Sequence, residues 1–120
     1  MDVLAAPDFV DHEDLGPVSP DREGAKAFMS MALAAFPDMH ATIEDMISNG
    51  DRVVIRSTWT GTHQGEFMGI PATGKKVSYE VIDILKFSGT LMSEHWGLSD
   101  NMKMMTQLGE AWRGIIPFYT

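Results

Sequence analysis

The sequence predicts one small α+β domain, built from a helix, four β-strands and a short second helix. A stripe of apolar residues at helical spacing predicts the first helix over about residues 20–36. Apolar and polar residues alternate over residues 52–63, which is typical of a half-buried strand. The turn before this strand, Asn49-Gly50-Asp51, is a strong hairpin signal.

The other elements follow from local signals in chain order. Residues 1–6 are expected to be the last turn of a helix, followed by a short extended piece over residues 9–12. Ser19 fits a helix N-cap, because Pro20 would then take the first helical position, and Pro37 ends the helix. The remaining strands are expected at residues 40–48, 75–87 and 91–98, and a short helix at about 100–107. Residues 1–109 form the predicted domain, and the apolar tail, 110–120, is expected to pack against protein.

Composition narrows the class of protein. The chain has 120 residues, of which 44% are hydrophobic and 22% charged, so it can bury a core. No apolar run reaches the roughly 18 residues that span a bilayer, and the N-terminus lacks the pattern of a secretion signal, so we expect a cytoplasmic protein. The net charge of −8 argues against binding to nucleic acids or anionic membranes. The absence of cysteine excludes disulfides and thiol nucleophiles.

One face of the predicted sheet is mostly apolar and contains two ionisable residues. Side chains alternate between faces, and the odd-numbered positions of the last three strands are the more apolar set. If residues 88–90 form a three-residue loop, Phe87 opposes Leu91 and Asp83 lies directly across from His95. The even face is more polar, and its apolar residues would suit packing on a partner subunit. They are Val54, Ile82, Ile84, Met92, Trp96 and Leu98.

Asp83 and His95 are the candidate catalytic pair. A buried, unpaired charge costs several kcal/mol, so a carboxylate on an apolar face needs a partner, and His95 is the nearest one. Such a pair can remove a proton next to a carbonyl group, because both pKa values can be tuned toward neutrality. The same pair could equally be a buried structural tie, or a shifted register could expose one of the two residues.

Each of the other candidate site residues could instead have a purely structural role. Asp100 could take part in catalysis or could cap the short helix that follows it. His63 stands at a strand end, where a structural role is the alternative to ligand binding. Trp59 and Tyr79 could donate hydrogen bonds to a ligand or could serve only as core. The four histidines lack metal-binding spacing, and nucleotide and G-x-S-x-G motifs are absent, so we expect neither metal nor cofactor.

Several short motifs occur in a characteristic order over residues 5–109. They are Phe9-Val10-Asp11-His12, Ala35-Phe36-Pro37-Asp38, Gly50-Asp51-Arg52-Val53, Gly61-Thr62-His63-Gln64-Gly65-Glu66-Phe67-Met68-Gly69-Ile70-Pro71, Thr73-Gly74-Lys75, Ile82-Asp83-Ile84, Glu94-His95-Trp96-Gly97 and Gln107-Leu108-Gly109. Together they resemble the SnoaL-like polyketide cyclases, or ester cyclases, of the nuclear transport factor two-like superfamily. Members usually have a full helix before the stretch that matches residues 4–9. Only the last turn of that helix would be present in this sequence.

The resemblance implies a fold and a function. The fold is a curved antiparallel sheet wrapped around helices, a cone-shaped barrel with an interior pocket, commonly in a homodimer. The reaction is ring closure of a hydrophobic, aromatic polyketide ester by intramolecular aldol chemistry without metal or cofactor. The acid and base groups of the family fall on Asp83 and His95, with Asp100 as the rival aspartate. The expected pocket residues are Phe28, Met29, Trp59, His63, Phe67, Met68 and Tyr79. A binding module for a hydrophobic small molecule, an isomerase and an epoxide or ester hydrolase are the alternatives.

Overall fold

A computed structural model describes residues 4–109, which form an α+β fold of one five-stranded sheet and two helices. The strands are β1 (Ala5–Asp11), β2 (His40–Asn49), β3 (Arg52–Thr62), β4 (Lys76–Ser88) and β5 (Leu91–Ser99), and the helices are α1 (Arg22–Ala35) and α2 (Asn101–Leu108). Neither of these helices is long and apolar enough to cross a membrane. The predicted tail over residues 110–120 lies outside the described residues.

Helix α1 begins later than the sequence signal at Ser19 and Pro20 predicts. Its N-cap is Asp21, whose Oδ1 accepts a hydrogen bond from the backbone N–H of Gly24 at 2.9 Å. Ser19 instead donates its hydroxyl to Asp21 Oδ1 at 2.6 Å. The predicted N-cap was therefore wrong by two residues, because the carboxylate of Asp21 competes better for the free N–H groups of the first turn.

The sheet is mixed, in the order β1-β5-β4-β3-β2, and it is open within residues 4–109, with β1 and β2 at its edges. Strands β2 to β5 pair antiparallel, as expected, whereas β1 pairs parallel to β5. Ala5 and Ala6 begin β1, so the expectation of a helical turn over residues 1–6 is wrong for these two. Both are buried, as are Phe9 and Asp11, and this burial against β5 outweighs the helix propensity of alanine.

The hairpin between β4 and β5 differs in register from the predicted one. Ser88 pairs with Leu91 across a two-residue turn, and a bulge then leaves Ser93 without an opposite residue. Beyond the bulge, Asp83 pairs with Gly97 rather than with His95, so the two candidates are diagonal neighbours on the same face. The bulge also turns Met92 inward, against the prediction that it lies on the outer face.

The inner face of the sheet is covered by the helices at two places, with a cavity between them. One buried cluster joins α1, α2 and the loop after β3, through Ala32, Ala35, Phe36, Phe67, Val77, Met104 and Leu108. A smaller cluster joins β1 to α1 through Ala5, Phe9 and Ala25. Between the clusters, the inward side chains of β3, β4 and β5 face α1 without filling the space.

Candidate active site

The cavity has a volume of about 550 Å³ and a mostly apolar wall. This volume lies in the range of pockets that hold drug-sized ligands. Six of the seven predicted pocket residues line it: Phe28, Met29, Trp59, Phe67, Met68 and Tyr79. The indole N–H of Trp59 donates to Ser57 Oγ at 2.9 Å, so Trp59 offers a ligand an aromatic surface rather than a hydrogen bond.

His95 lies in the cavity wall between two carboxylates. Its Nε2 is 2.6 Å from Oδ1 of Asp83, and its Nδ1 is 2.9 Å from Oδ1 of Asp11. Asp11 is placed by the parallel pairing of β1 with β5, in which it is the direct partner of His95. Asp83 reaches the ring from the other side, from β4. The pair predicted from the sequence is therefore part of a triad, with Asp11 as its unpredicted member.

The two carboxylates keep His95 protonated. Burial disfavours the charged ring, but the hydrogen bonds and negative charges of Asp11 and Asp83 outweigh it and raise the pKa of His95 to about 10. At neutral pH both ring N–H groups donate, one to each carboxylate. The imidazolium therefore balances the charge and orients Asp83, and it has no free lone pair with which to act as a base.

Glu13 is a fourth ionisable group at the same place, two residues beyond the end of β1. Its backbone N–H donates to Oδ1 of Asp11 at 3.0 Å, which forms a tight turn. Its side chain lines the cavity, and burial raises the pKa of its carboxyl group. The positive charge of His95 opposes this rise, while the negative charges of Asp83 and Asp11 add to it.

The phenol of Tyr79 faces the same cavity from β4. Burial raises the pKa of Tyr79, and the charge of Glu13 raises it further. Tyr79 therefore keeps its proton at neutral pH and can donate a hydrogen bond to a ligand.

The other two predicted site residues lie outside this wall. Asp100 is the N-cap of α2, where its Oδ1 accepts from the backbone N–H of Lys103 at 3.1 Å. His63 is fully buried beside the cavity region, with its ring stacked on Phe36 and its Nδ1 3.0 Å from the hydroxyl of Thr73. Neither residue lines the cavity, and the contacts of each are those of its structural alternative.

The sequence held a signal for the two missed residues. Asp11 and Glu13 flank His12 at a spacing of two, which places them on one side of an extended chain and His12 on the other. His12 indeed lies on the outer face, stacked on Trp96 and paired with Glu94 at 2.9 Å. Only the parallel pairing of β1 shows which side faces the cavity.

Asp11, Glu13 and His95 could together approach a metal ion. One ligand atom from each lies within 4.8 Å of the others. A histidine ligand must be neutral, however, and both nitrogens of His95 already donate to carboxylates. Binding would require the loss of a strongly held proton and of a hydrogen bond, so the donor set does not favour a metal.

Comparison with known proteins gives a consistent result. The family model described as SnoaL-like polyketide cyclase matches residues 1–108. Aklanonic acid methyl ester cyclase DauD of Streptomyces sp. (strain C5) is 28% identical over 113 residues, which cover 88% of this chain and 70% of DauD. DnrD of Streptomyces peucetius, with the same description, is 27% identical over 113 residues, covering 88% and 78%. Among solved structures, IdmH of Streptomyces antibioticus is 38% identical with a TM-score of 0.79, covering 90% of this chain and 84% of IdmH.

Proposed function

Because this chain belongs to the SnoaL-like polyketide cyclase family, we propose that it closes a ring in a polyketide ester by intramolecular aldol addition. Two of its relatives are aklanonic acid methyl ester cyclases, so a hydrophobic polyketide methyl ester is the proposed substrate class. The cavity volume of about 550 Å³ and its aromatic and methionine-rich wall are suited to such a ligand.

The observation that supports the proposal most is the carboxylate of Asp83 in this apolar wall. Its Oδ1 accepts a hydrogen bond from the charged ring of His95, and this contact fixes its direction. The hydrogen bond uses only one of the two carboxylate oxygens, which leaves Oδ2 as the proposed base. A fixed carboxylate in a site of low water content is the group that proton removal next to a carbonyl requires.

The proposed reaction balances without an external reagent. Asp83 takes a proton from the carbon next to a carbonyl group, and the electrons of the broken C–H bond form an enolate. The enolate carbon then attacks a second carbonyl carbon of the same molecule, which forms the new C–C bond. The oxygen of that second carbonyl takes up one proton and becomes a hydroxyl group. The product is an isomer of the substrate.

The test is turnover of aklanonic acid methyl ester by the purified full-length chain, followed by chromatography and mass spectrometry. We expect a product of unchanged mass and altered retention. Asp83→Asn should lower turnover roughly 100-fold or more, the usual effect of losing a general base. Glu66→Gln is the control, because Glu66 is exposed and outside the cavity wall.

Other outcomes would contradict the proposal. Equal turnover by the wild type and Asp83→Asn would remove Asp83 as the base. Tight binding of the ester without conversion would identify a binding module. Conversion of the methyl ester to the free acid and methanol, or addition of one water molecule to an epoxide substrate, would identify a hydrolase.

A further inference from the structure

The carboxylate of Glu13 occupies a space that a side chain at position 97 would otherwise fill. Gly97 faces the cavity side of β5 as the direct partner of Asp83 on β4. A methyl group added at Gly97 would overlap Oε1 of Glu13 and would lie 2.8 Å from Cε1 of His95. The side chain of Glu13 therefore reaches from just beyond the end of β1 to the space beside Gly97, the residue that pairs with Asp83.

The surroundings of Glu13 differ from those of Asp83. Asp83 has an imidazolium N–H pointed at it, whereas Glu13 lies near the carbon edge of the same ring, since a Cβ added at Gly97 would meet both its Oε1 and the ring Cε1. The groups that interact electrostatically with Glu13 are Asp11 from β1, Asp83 and Tyr79 from β4, and His95 from β5. Asp14, the next residue in the chain, also lines the cavity. Two of the interacting groups are carboxylates, and the single positive charge is already shared between them. Burial and the two neighbouring carboxylates favour the neutral form of Glu13 and raise its pKa, while the positive charge of His95 opposes this rise.

We propose that Glu13 is a second catalytic residue, the general acid that protonates the carbonyl oxygen attacked by the enolate. The inference depends on the proposed aldol reaction and supplies the proton donor that this reaction needs. An apolar site that keeps one carboxyl group neutral beside an ionised one separates the roles of acid and base. Glu13 and Asp83 line the same cavity wall, and the carboxyl group of Glu13 lies beside Gly97, the direct partner of Asp83.

The assignment completes the proton balance. Asp83 removes the proton from carbon, the C–C bond forms, and the proton of Glu13 moves to the new alkoxide oxygen. The cycle ends with Asp83 protonated and Glu13 ionised, the reverse of the starting state. Release of a proton from Asp83 to water and uptake of one by Glu13 restore the enzyme without net change.

The test compares the pH dependence of kcat/KM for the wild type, Glu13→Gln and the control Glu66→Gln, with aklanonic acid methyl ester as substrate. We expect the wild type and Glu66→Gln to lose activity as the pH rises and Glu13 ionises. Glu13→Gln should be roughly 100-fold less active at neutral pH and should lack this alkaline decrease. A purely structural role would lower activity without changing the shape of the profile. Unchanged activity, or an unchanged profile, would overturn the assignment while leaving the cyclase proposal intact.

A binding experiment separates this failure from failure of the cyclase proposal. The ligands are 2-tetralone, which has a carbonyl oxygen, and tetralin, which lacks one. Binding is followed by tryptophan fluorescence, to which Trp59 in the cavity wall contributes. If Glu13 donates from its neutral form, the affinity for 2-tetralone falls as the pH rises, and that for tetralin does not. Glu13→Gln should abolish the difference. Equal pH dependence for both ligands would exclude Glu13 as a donor, whether or not the ester is converted.

Discussion

The charge on His95 should make the stability of the fold depend on pH in a defined direction. The pKa of His95 is about 10 in the folded chain and about 6.5 for an ordinary histidine. A raised pKa stabilises the folded state fully below the unfolded value, and the contribution is lost as the pH rises through the folded value. At about 1.4 kcal/mol per pKa unit, the free energy of unfolding should fall by roughly 3 to 4 kcal/mol between pH 6.5 and 9.5. The side chain is only 16% exposed, so solvent screening should not remove this effect.

The assay is urea unfolding at both pH values, followed by tryptophan fluorescence. Glu13 also has a raised pKa, which makes stability fall with rising pH in the same direction, so the comparison is made between Glu13→Gln and the double variant Glu13→Gln, His95→Gln. Between pH 6.5 and 9.5, the free energy of unfolding of Glu13→Gln should fall by roughly 3 to 4 kcal/mol, and that of the double variant should fall by much less. If the two chains lose stability equally over this range, His95 is not the charged centre of the site.

Three further predictions concern residues around the cavity and on the outer face. Gly97→Ala should displace Glu13 and lower turnover toward the level of Glu13→Gln. In the Glu13→Ala background the same substitution should lower turnover much less. An equal loss of turnover in both backgrounds would show that Gly97→Ala does not act through Glu13. Asp100→Ala should lower the free energy of unfolding by about 1 kcal/mol through the lost cap of α2 and leave kcat unchanged; a large loss of kcat would restore Asp100 as a catalytic aspartate. We expect a homodimer through the outer face of the sheet, where Ile82 and Leu98 are 46% and 76% exposed. Light scattering should therefore give twice the chain mass for the wild type and the single chain mass for Leu98→Glu. A monomer mass for the wild type would contradict this expectation.

Local sequence signals were sufficient to predict most of the elements. The hairpin at Gly50, the alternation over β3 and the helical stripe of α1 each depend on neighbouring residues, and all three elements were predicted close to their observed bounds. The prediction of which face is buried also survived the wrong register. The two-residue turn and the bulge at Ser93 each shift the pairing by one residue, so His95 pairs with Leu85, and a shift of two leaves its side chain on the same face.

The parts that could not be predicted depend on contacts between distant residues. Ala5 and Ala6 have no strand propensity of their own, and they form β1 because the edge of β5 is available 87 residues away at Met92. Without that pairing, nothing in the sequence brings Asp11 to His95. Glu13 was missed for a related reason, because the space above Gly97 exists only when β1 and β5 are side by side.

Hydrogen exchange at carbon tests the role of Asp83 most directly, because it needs no knowledge of the natural substrate. The chain is incubated with 2-tetralone in D2O, and the loss of the protons next to the carbonyl group is followed by NMR. We expect the wild type to exchange them faster than buffer and Asp83→Asn to do so roughly 100-fold more slowly than the wild type. Exchange at the same rate with both chains would contradict proton removal by the carboxylate that His95 holds.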